Sequence, residues 1–238
     1  MSTLYLIRHG QAGPRDNYDR LSELGQQQAQ RLGQHWAAQA TGLDAIFSGN
    51  LQRQQQTARL FVEVVRAAGG AAPTPLVDER WCEFSLAAVY QGLASPLCMD
   101  EPGFAADYAE MKALLLQEPH ATRAAVGRCD RAVIRTWMEG RYADYQGESW
   151  ADFRQRVESS LPDLVQAPWR QMAVFTSATP IAIWTGLALG LADEKILDLM
   201  GVLYNSGLTV FKLREGKVRL LSFNATPHLS EPALHTFR

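Results

Sequence analysis

Two short segments carry residue types that could do chemistry together. Leu6-Ile7-Arg8-His9-Gly10-Gln11 closes one apolar run, and Ser48-Gly49-Asn50-Leu51-Gln52-Arg53-Gln54-Gln55-Gln56-Thr57-Ala58 follows another. In open α/β sheets, ligands bind outside the carboxyl ends of the strands, and a histidine there presents an imidazole nitrogen into the crevice. An arginine beside it can hold a dianion through paired charge-assisted hydrogen bonds. Arg53 falls in the first turn of a helix, where free backbone N–H groups and the helix dipole already favour an anion. Taken singly, these are a structural histidine and a surface arginine. Taken together, two arginines converging on one histidine suit phosphoryl chemistry.

The elements that must position these residues follow from periodicity. Thr3 to Arg8 reads as a short buried strand. Ser22 is a fitting N-cap for a helix whose apolar face runs through Gly25, Ala29, Leu32 and Trp36. Asp44 to Ser48 is a second strand, and a helix from about Leu51 to Ala68 follows it, stopped by Gly69-Gly70, with Phe61, Val64 and Ala68 on one side. Its glutamine-rich start, Gln52 to Gln56, reads as a solvated face. Met172 to Ser177 is a third strand, with Pro180 at a first helical position. Leu208 to Leu213 and Lys217 to Phe223 form a hairpin across Glu215-Gly216. Strands separated by helices predict a mostly parallel sheet with helices on both faces. The stretch from about 88 to 146 departs from this rhythm. One helical stripe is Phe104, Tyr108, Met111 and Leu115, another is Val126, Cys129, Val133 and Trp137, and no strand lies between them. A single domain over 1–238 with a helical cap inserted at about 88–146 is therefore expected.

Composition narrows the function classes. A net charge of −2 over 238 residues provides no long-range field for nucleic acid or an anionic membrane, so any phosphate affinity must come from a local cluster of cations. No apolar stretch reaches the ~20 residues of a spanning helix, and no signal peptide is expected. Cys82, Cys98 and Cys129 are odd in number and lack metal-ligand spacing, which fits reduced thiols in a cytoplasm.

The two segments resemble the histidine phosphatase superfamily, the phosphoglycerate-mutase-like proteins, and so do three others. Leu21-Ser22-Glu23-Leu24-Gly25 with Gln28-Ala29 is similar to the family's first helix start. Gly147-Glu148-Ser149 with Asp152, Arg156 and Val157 resembles its Gly-Glu-Ser segment, and Asn224 with His228-Leu229 its C-terminal motif. The resemblance implies a three-layer α/β/α sandwich with a mostly parallel central sheet and a helical insertion over the active site. It implies a phosphatase that hydrolyses a small phosphomonoester through a phosphohistidine on His9. Arg8 and Arg53 would hold the phosphoryl oxygens and lower the pKa of His9. No metal and no cofactor are called for.

The family's general acid precedes a glycine by four residues. In Asp78-Glu79-Arg80-Trp81-Cys82-Glu83-Phe84 the choice falls on Glu83 over Glu79, although Ala87 stands where the glycine would be. The family's second catalytic histidine, at the end of the late strand, is missing: Val174-Phe175-Thr176-Ser177-Ala178-Thr179-Pro180 puts Ser177 at that position. A serine hydroxyl can donate one hydrogen bond but brings no charge. Losing one oxyanion donor costs on the order of 10² to 10³ in rate. His120 and the helix N-terminal amides after Pro180 are the other groups that could help. A phosphatase with an altered pocket and a relative that binds a phosphorylated ligand without turning it over are both consistent with this, and so is a mutase outcome. Specificity is expected in the insertion. There Arg128, Arg131 and Arg135 could meet a second anionic group or form a solvated face, and Trp81 and Tyr90 could stack on a ring or pack in the core.

Overall fold

The computed structural model describes residues 1–13, 18–117 and 124–237. In chain order the elements are β1 (Ser2–Arg8), α1 (Glu23–Ala38), β2 (Ala45–Ser48), α2 (Gln52–Ala67), β3 (Leu76–Val77), α3 (Leu86–Asp100), α4 (Pro102–Gln117) and α5 (Ala124–Met138). They continue with α6 (Trp150–Glu158), α7 (Leu161–Gln166), β4 (Gln171–Thr176), α8 (Ala178–Leu189), α9 (Asp193–Met200), β5 (Leu208–Arg214) and β6 (Lys217–Ala225). Contacts divide the chain into two compact units, one from residues 1–13, 18–83 and 156–237 and the other from residues 84–155.

The first unit is built on one sheet in the order β3-β2-β4-β1-β5-β6. β1 pairs in parallel with β4, β4 with β2 and β2 with β3, while β5 runs antiparallel to both β1 and β6. The parallel half follows from helical crossovers, the antiparallel edge from the hairpin at Glu215-Gly216, whose φ values of 51° and 73° are those of a tight two-residue turn. Side chains alternate across the sheet. Tyr5 and Ile7 join Leu32 and Trp36 of α1, and Phe61, Val62 and Val65 of α2, in one core cluster. On the other face Trp184 of α8 meets Phe211 of β5 with ring centroids 5.9 Å apart. Helices cover both faces, so β1 and β4 are buried almost throughout, with apolar residues at their centres. The result is an α/β sandwich.

Three local expectations change. The buried face of α2 is Thr57, Ala58, Phe61, Val62 and Val65, whereas Ala68 is exposed and Val64 only half-buried, a rotation of about one residue. Pro180 is the third residue of α8; it is accommodated because no N–H of the first turn has an intrahelical partner to lose. Gln54 is fully buried rather than part of a solvated face.

The second unit is helical. Ala94 and Leu97 of α3, Phe104 and Met111 of α4, and Val126 and Cys129 of α5 form its core. Near its ends Phe84 stacks on Trp137 at 4.5 Å, and Trp150 packs edge-on against the same indole at 5.5 Å. The sequence suggested two helices here, but α3 is a third, and it carries Pro96 within it, a residue that reads as a breaker. Ala87, which replaces an expected glycine, is the second residue of α3, where alanine is the best helix former and no left-handed backbone is required. Ser85 caps that helix by accepting from Ala88 N at 3.2 Å.

Candidate active site

His9 leaves the carboxyl end of β1 and is 2% exposed. Its main chain is held on both sides. His9 N donates to Thr176 O of β4 at 2.8 Å, and His9 O accepts from Ser206 N at 3.2 Å and Asn205 Nδ2 at 3.3 Å. Gly10 follows because the chain passes against the start of α1. A Cβ there would lie 2.3 Å from Gly25 O, and one at Gly25 would lie 2.1 Å from Gln11 O, so both glycines are required by one close approach. Gly10 N donates to Thr57 Oγ1 at 3.1 Å, tying the turn to α2. Ser22 accepts from Gly25 N at 3.0 Å and caps α1 as expected.

The imidazole is fixed at both nitrogens. Nδ1 lies 2.7 Å from Gly10 O, a partner that can only accept, so Nδ1 carries the hydrogen. Nε2 is left with its lone pair and accepts from Arg53 Nε at 3.1 Å. Burial above all, then the charges of Arg53 and Arg8, hold the His9 pKa well below its usual value, with the Gly10 carbonyl pulling weakly the other way. The arginines were anticipated as the cause; desolvation is the larger one. His9 is thus neutral, with its unprotonated nitrogen beside a guanidinium.

Both arginines are 7% exposed. Arg53, second residue of α2, also donates from Nη1 to Asp19 Oδ1 at 2.9 Å, and its guanidinium lies 5.1 Å from the Tyr18 ring centre. Arg8 donates from Nη1 to Leu203 O. Its Nε is buried and has no partner among the described residues, leaving a buried donor unused.

The strand-end of β4 completes the group. The register pairs Arg8 with Thr176, so His9 and Ser177 are the next residues on adjacent parallel strands. Ser177, 2% exposed, takes the N-cap position of α8 without a side-chain bond to that helix. Its Oγ accepts from Gln54 Nε2 at 2.9 Å. Glu83 Oε2 accepts from Thr179 N at 3.1 Å in the first turn of α8, so this amide serves the carboxylate. Burial lowers the pKa of the Arg8 guanidinium, and the nearby Tyr18 and Glu83 offset part of that shift. Glu79, by contrast, is exposed and accepts from Asn50 Nδ2 at 3.2 Å.

The structure therefore brings Arg8, His9, Arg53, Glu83 and Ser177 to the same ends of β1 and β4. His120 lies outside the described residues, and His35, His228 and His235 are elsewhere. Other residues act behind the group. Arg156 reaches the carbonyls of Glu79 at 2.9 Å and of Arg80 and Cys82 at 3.3 Å, clamping the turn that leads into Glu83. Asn224, at φ 52°, donates to Val202 O at 2.7 Å and accepts from Tyr204 N at 2.7 Å, and His228 Nε2 lies 2.8 Å from Ser206 Oγ. Together these two shape the loop 202–207, which supplies bonds to Arg8 and His9. Trp81 is a core residue against Trp184 at 5.7 Å. Tyr90 bonds Asp130 at 2.8 Å and stacks on Tyr108, and Arg128 pairs with Asp107 at 2.6 Å. The residue that the sequence reading missed is Gln54. Its only signal was its place, one residue after Arg53, within a polar run that masked it.

Comparison with known proteins agrees with this geometry. The sequence model of the histidine phosphatase superfamily (branch 1) matches residues 4–133 and 106–226, and the chain belongs to that superfamily. A protein described as "Probable phosphoglycerate mutase GpmB" from Enterobacter sp. (strain 638) is 24% identical over 208 residues, 84% of this chain and 76% of that one. Among solved structures, a phosphoserine phosphatase of Entamoeba histolytica matches with a TM-score of 0.59 at 20% identity, covering 96% of this chain and 100% of the other. The α-ribazole phosphatase of Shigella flexneri matches with a TM-score of 0.59 at 17% identity, covering 94% and 96%. No helix among the described residues is long and apolar enough to cross a membrane.

Proposed function

We propose that this chain hydrolyses a small phosphomonoester through a phosphohistidine on His9. The observation that carries the reading is the state of the imidazole. Nδ1 is bound to Gly10 O, so Nε2 keeps a lone pair, and Arg53 holds it in place. In the first step Arg53 Nε turns from Nε2 to a phosphoryl oxygen, the freed lone pair of Nε2 attacks phosphorus, the N–P bond forms, and the bond to the ester oxygen breaks. Glu83 in its acid form gives its proton to the departing oxygen. In the second step water attacks the phosphohistidine and loses a proton to the Glu83 carboxylate, and the N–P bond breaks. Dividing one transfer into two lowers each barrier, and the two guanidiniums offset the charge on the equatorial oxygens. The buried, unused Nε–H of Arg8 supports an oxygen-rich ligand here.

The groups around His9 recognise only the phosphoryl part. The helical residues, a cap at about 88–146 of one phosphatase-like domain, are proposed to choose the ester. Three unpaired cysteines suit a cytoplasmic, reducing setting. Ser177 at the second histidine's position favours one further reading, a binding protein for a phosphorylated ligand with little turnover. A mutase, the description carried by the Enterobacter relative, would use the same intermediate but return the phosphoryl group to an organic hydroxyl.

The test is to mix the protein with p-nitrophenyl phosphate, quench in alkali and measure acid-labile phosphate, with His9→Ala as the control. A trapped phosphohistidine and release of inorganic phosphate are expected. Neither product over a panel of phosphoesters would leave the binding protein, and transfer to an added alcohol in place of water would mark the mutase.

A further inference from the structure

We propose that Gln54 is a positioning residue, which aims the Ser177 hydroxyl at a phosphoryl oxygen and so lets a serine do the work of the missing histidine. The proposal rests on the reading of the site as a phosphoryl pocket. Gln54 is fully buried, in the first turn of α2 directly after Arg53. Its amide is bonded throughout: Nε2 donates to Trp81 O at 3.1 Å and to Ser177 Oγ at 2.9 Å, and Oε1 accepts from Leu51 N at 3.3 Å. The reversed amide would set Oε1 against the Trp81 carbonyl and Nε2 against the Leu51 N–H, which is repulsive on both counts. Trp81 O is itself pinned by Thr176 Oγ1 at 2.6 Å.

The direction of the Ser177 bond follows. Both hydrogens of the Gln54 amide are committed, so Ser177 Oγ is the acceptor, and its single hydrogen points away from Gln54. The hydroxyl accepts no N–H of α8, so Gln54 is its one donor among the described residues. Ser177 stands beside His9 at adjacent strand ends. A hydroxyl is a rotor, unlike an imidazole, whose N–H direction is set by the ring. A serine can replace a histidine as a fixed donor only if something holds the rotor, and a buried, fully bonded amide does so. The surroundings are shaped for this amide. A Cβ at Gly49 would sit 2.1 Å from Gln54 Oε1, so only glycine leaves room there.

The experiment measures p-nitrophenyl phosphate turnover and inorganic phosphate affinity for the wild type, Gln54→Met, Ser177→Ala and the double variant, with melting temperature as the folding control. Gln54→Met fills the volume without a donor. Ser177→Ala is expected to lower kcat by about 10² and Gln54→Met by about 10-fold, the double variant by no more than Ser177→Ala alone. KM should move less than kcat, because the aimed donor matters most as charge develops. Gln54→Glu adds a pH signature. Its carboxylate would draw the Ser177 proton away from the pocket, so kcat should recover toward acid as that carboxyl protonates. Losses that multiply in the double variant, or a kcat unchanged in Gln54→Met, would overturn the proposal. If the wild type forms no phosphohistidine, the phosphatase reading fails, and phosphate affinity decides. The same non-additive weakening upholds the Gln54–Ser177 donor, and affinity equal to wild type in all variants removes it.

Discussion

The ends of β1 and β4 lie side by side in one sheet, yet they are built on opposite principles. At β1 the main chain fixes most of the geometry, and the Arg53 side chain holds the outer ring nitrogen. His9 is bonded before and after its Cα, both ring nitrogens are engaged, and Gly10 is wedged against Gly25 by backbone contact. At β4 the corresponding residue, Ser177, is aimed by one side chain reaching over from α2. A nucleophile must keep its angle through two in-line steps, so it is set by backbone that cannot drift. A donor to spectator oxygens can be supplied by any well-held N–H or O–H, so this position can change residue type when a second residue changes with it.

The sharpest way to break the β1 side is Arg53→Lys. The charge stays, but lysine lacks the planar fork that orients His9 in the free site and then holds phosphoryl oxygens side by side. A fall in kcat on the order of 10² to 10³ is expected, with the melting temperature nearly unchanged, measured by phosphate release. A loss under tenfold would mean that Arg53 contributes only charge.

Next in size are two glycine substitutions that strike the two ends separately. Gly10→Ala drives a methyl into the Gly25 carbonyl at 2.3 Å, and neither backbone can turn aside. Gly49→Ala meets first Gln54 Oε1 at 2.1 Å, which can retreat only by giving up its bonds, and then the main-chain carbon of Trp81 at 2.9 Å. Overpacking of this kind costs about 1–3 kcal/mol. Gly10→Ala should lie at the upper end or beyond by urea denaturation. Gly49→Ala should lie lower, while losing about as much kcat as Gln54→Met, on the order of tenfold. An equal stability loss at both sites would erase the contrast between backbone and side-chain support.

What could be read from the sequence divides along the same line. β1, β2, β4, β5 and β6, the α1 cap at Ser22, the arginines and His9 were legible because each depends on near neighbours in the chain and on periodicity, whereas the two-residue β3 is too short to show a period. The choice of Glu83 over Glu79 was legible only as a spacing. Gln54 was not legible at all: its partners, Trp81 and Ser177, lie 27 and 123 residues away, and a buried amide looks the same in sequence as an exposed one. The helix α3 was not read either; it contains Pro96, and its buried Val89, Leu93, Ala94 and Leu97 hold it in place through packing rather than through local propensity.

A smaller effect concerns the loop that holds the main chain of His9. Burial and the nearby His35 and His235 push the pKa of His228 down to about 3, against about 6.5 for an unfolded histidine. The folded protein keeps this ring neutral where the unfolded chain takes up a proton. Stability should therefore fall as the pH drops from about 6.5 toward 3, by about 1.4 kcal/mol per pH unit from this residue. His9, lowered for its own reasons, adds to the same trend. Urea titrations at pH 7 and pH 5 should differ by about 2 kcal/mol from His228, and His228→Gln should remove that share. A slope unchanged in that variant would mean that His228 is already protonated in the fold.

The smallest expected effect tests how ready the β1 side is for its ligand. Asp19 Oδ1 sits 2.9 Å from Arg53 Nη1, and its other oxygen accepts from Gln52 N at 3.1 Å at the start of α2. A carboxylate on an arginine that is to hold a phosphoryl oxygen is a competitor, and it must yield part of that guanidinium when the ester arrives. Asp19 is about half exposed, so the ion pair is screened and contributes only about 0–1 kcal/mol. Asp19→Asn keeps an acceptor for Gln52 N and removes the charge. KM for p-nitrophenyl phosphate should then fall by at most about fivefold, with kcat little altered, because one charged rival has left and Arg53 keeps its bond to His9. A rise in KM would reverse the assignment, making Asp19 a support that orients Arg53 rather than a placeholder that the phosphoryl group displaces.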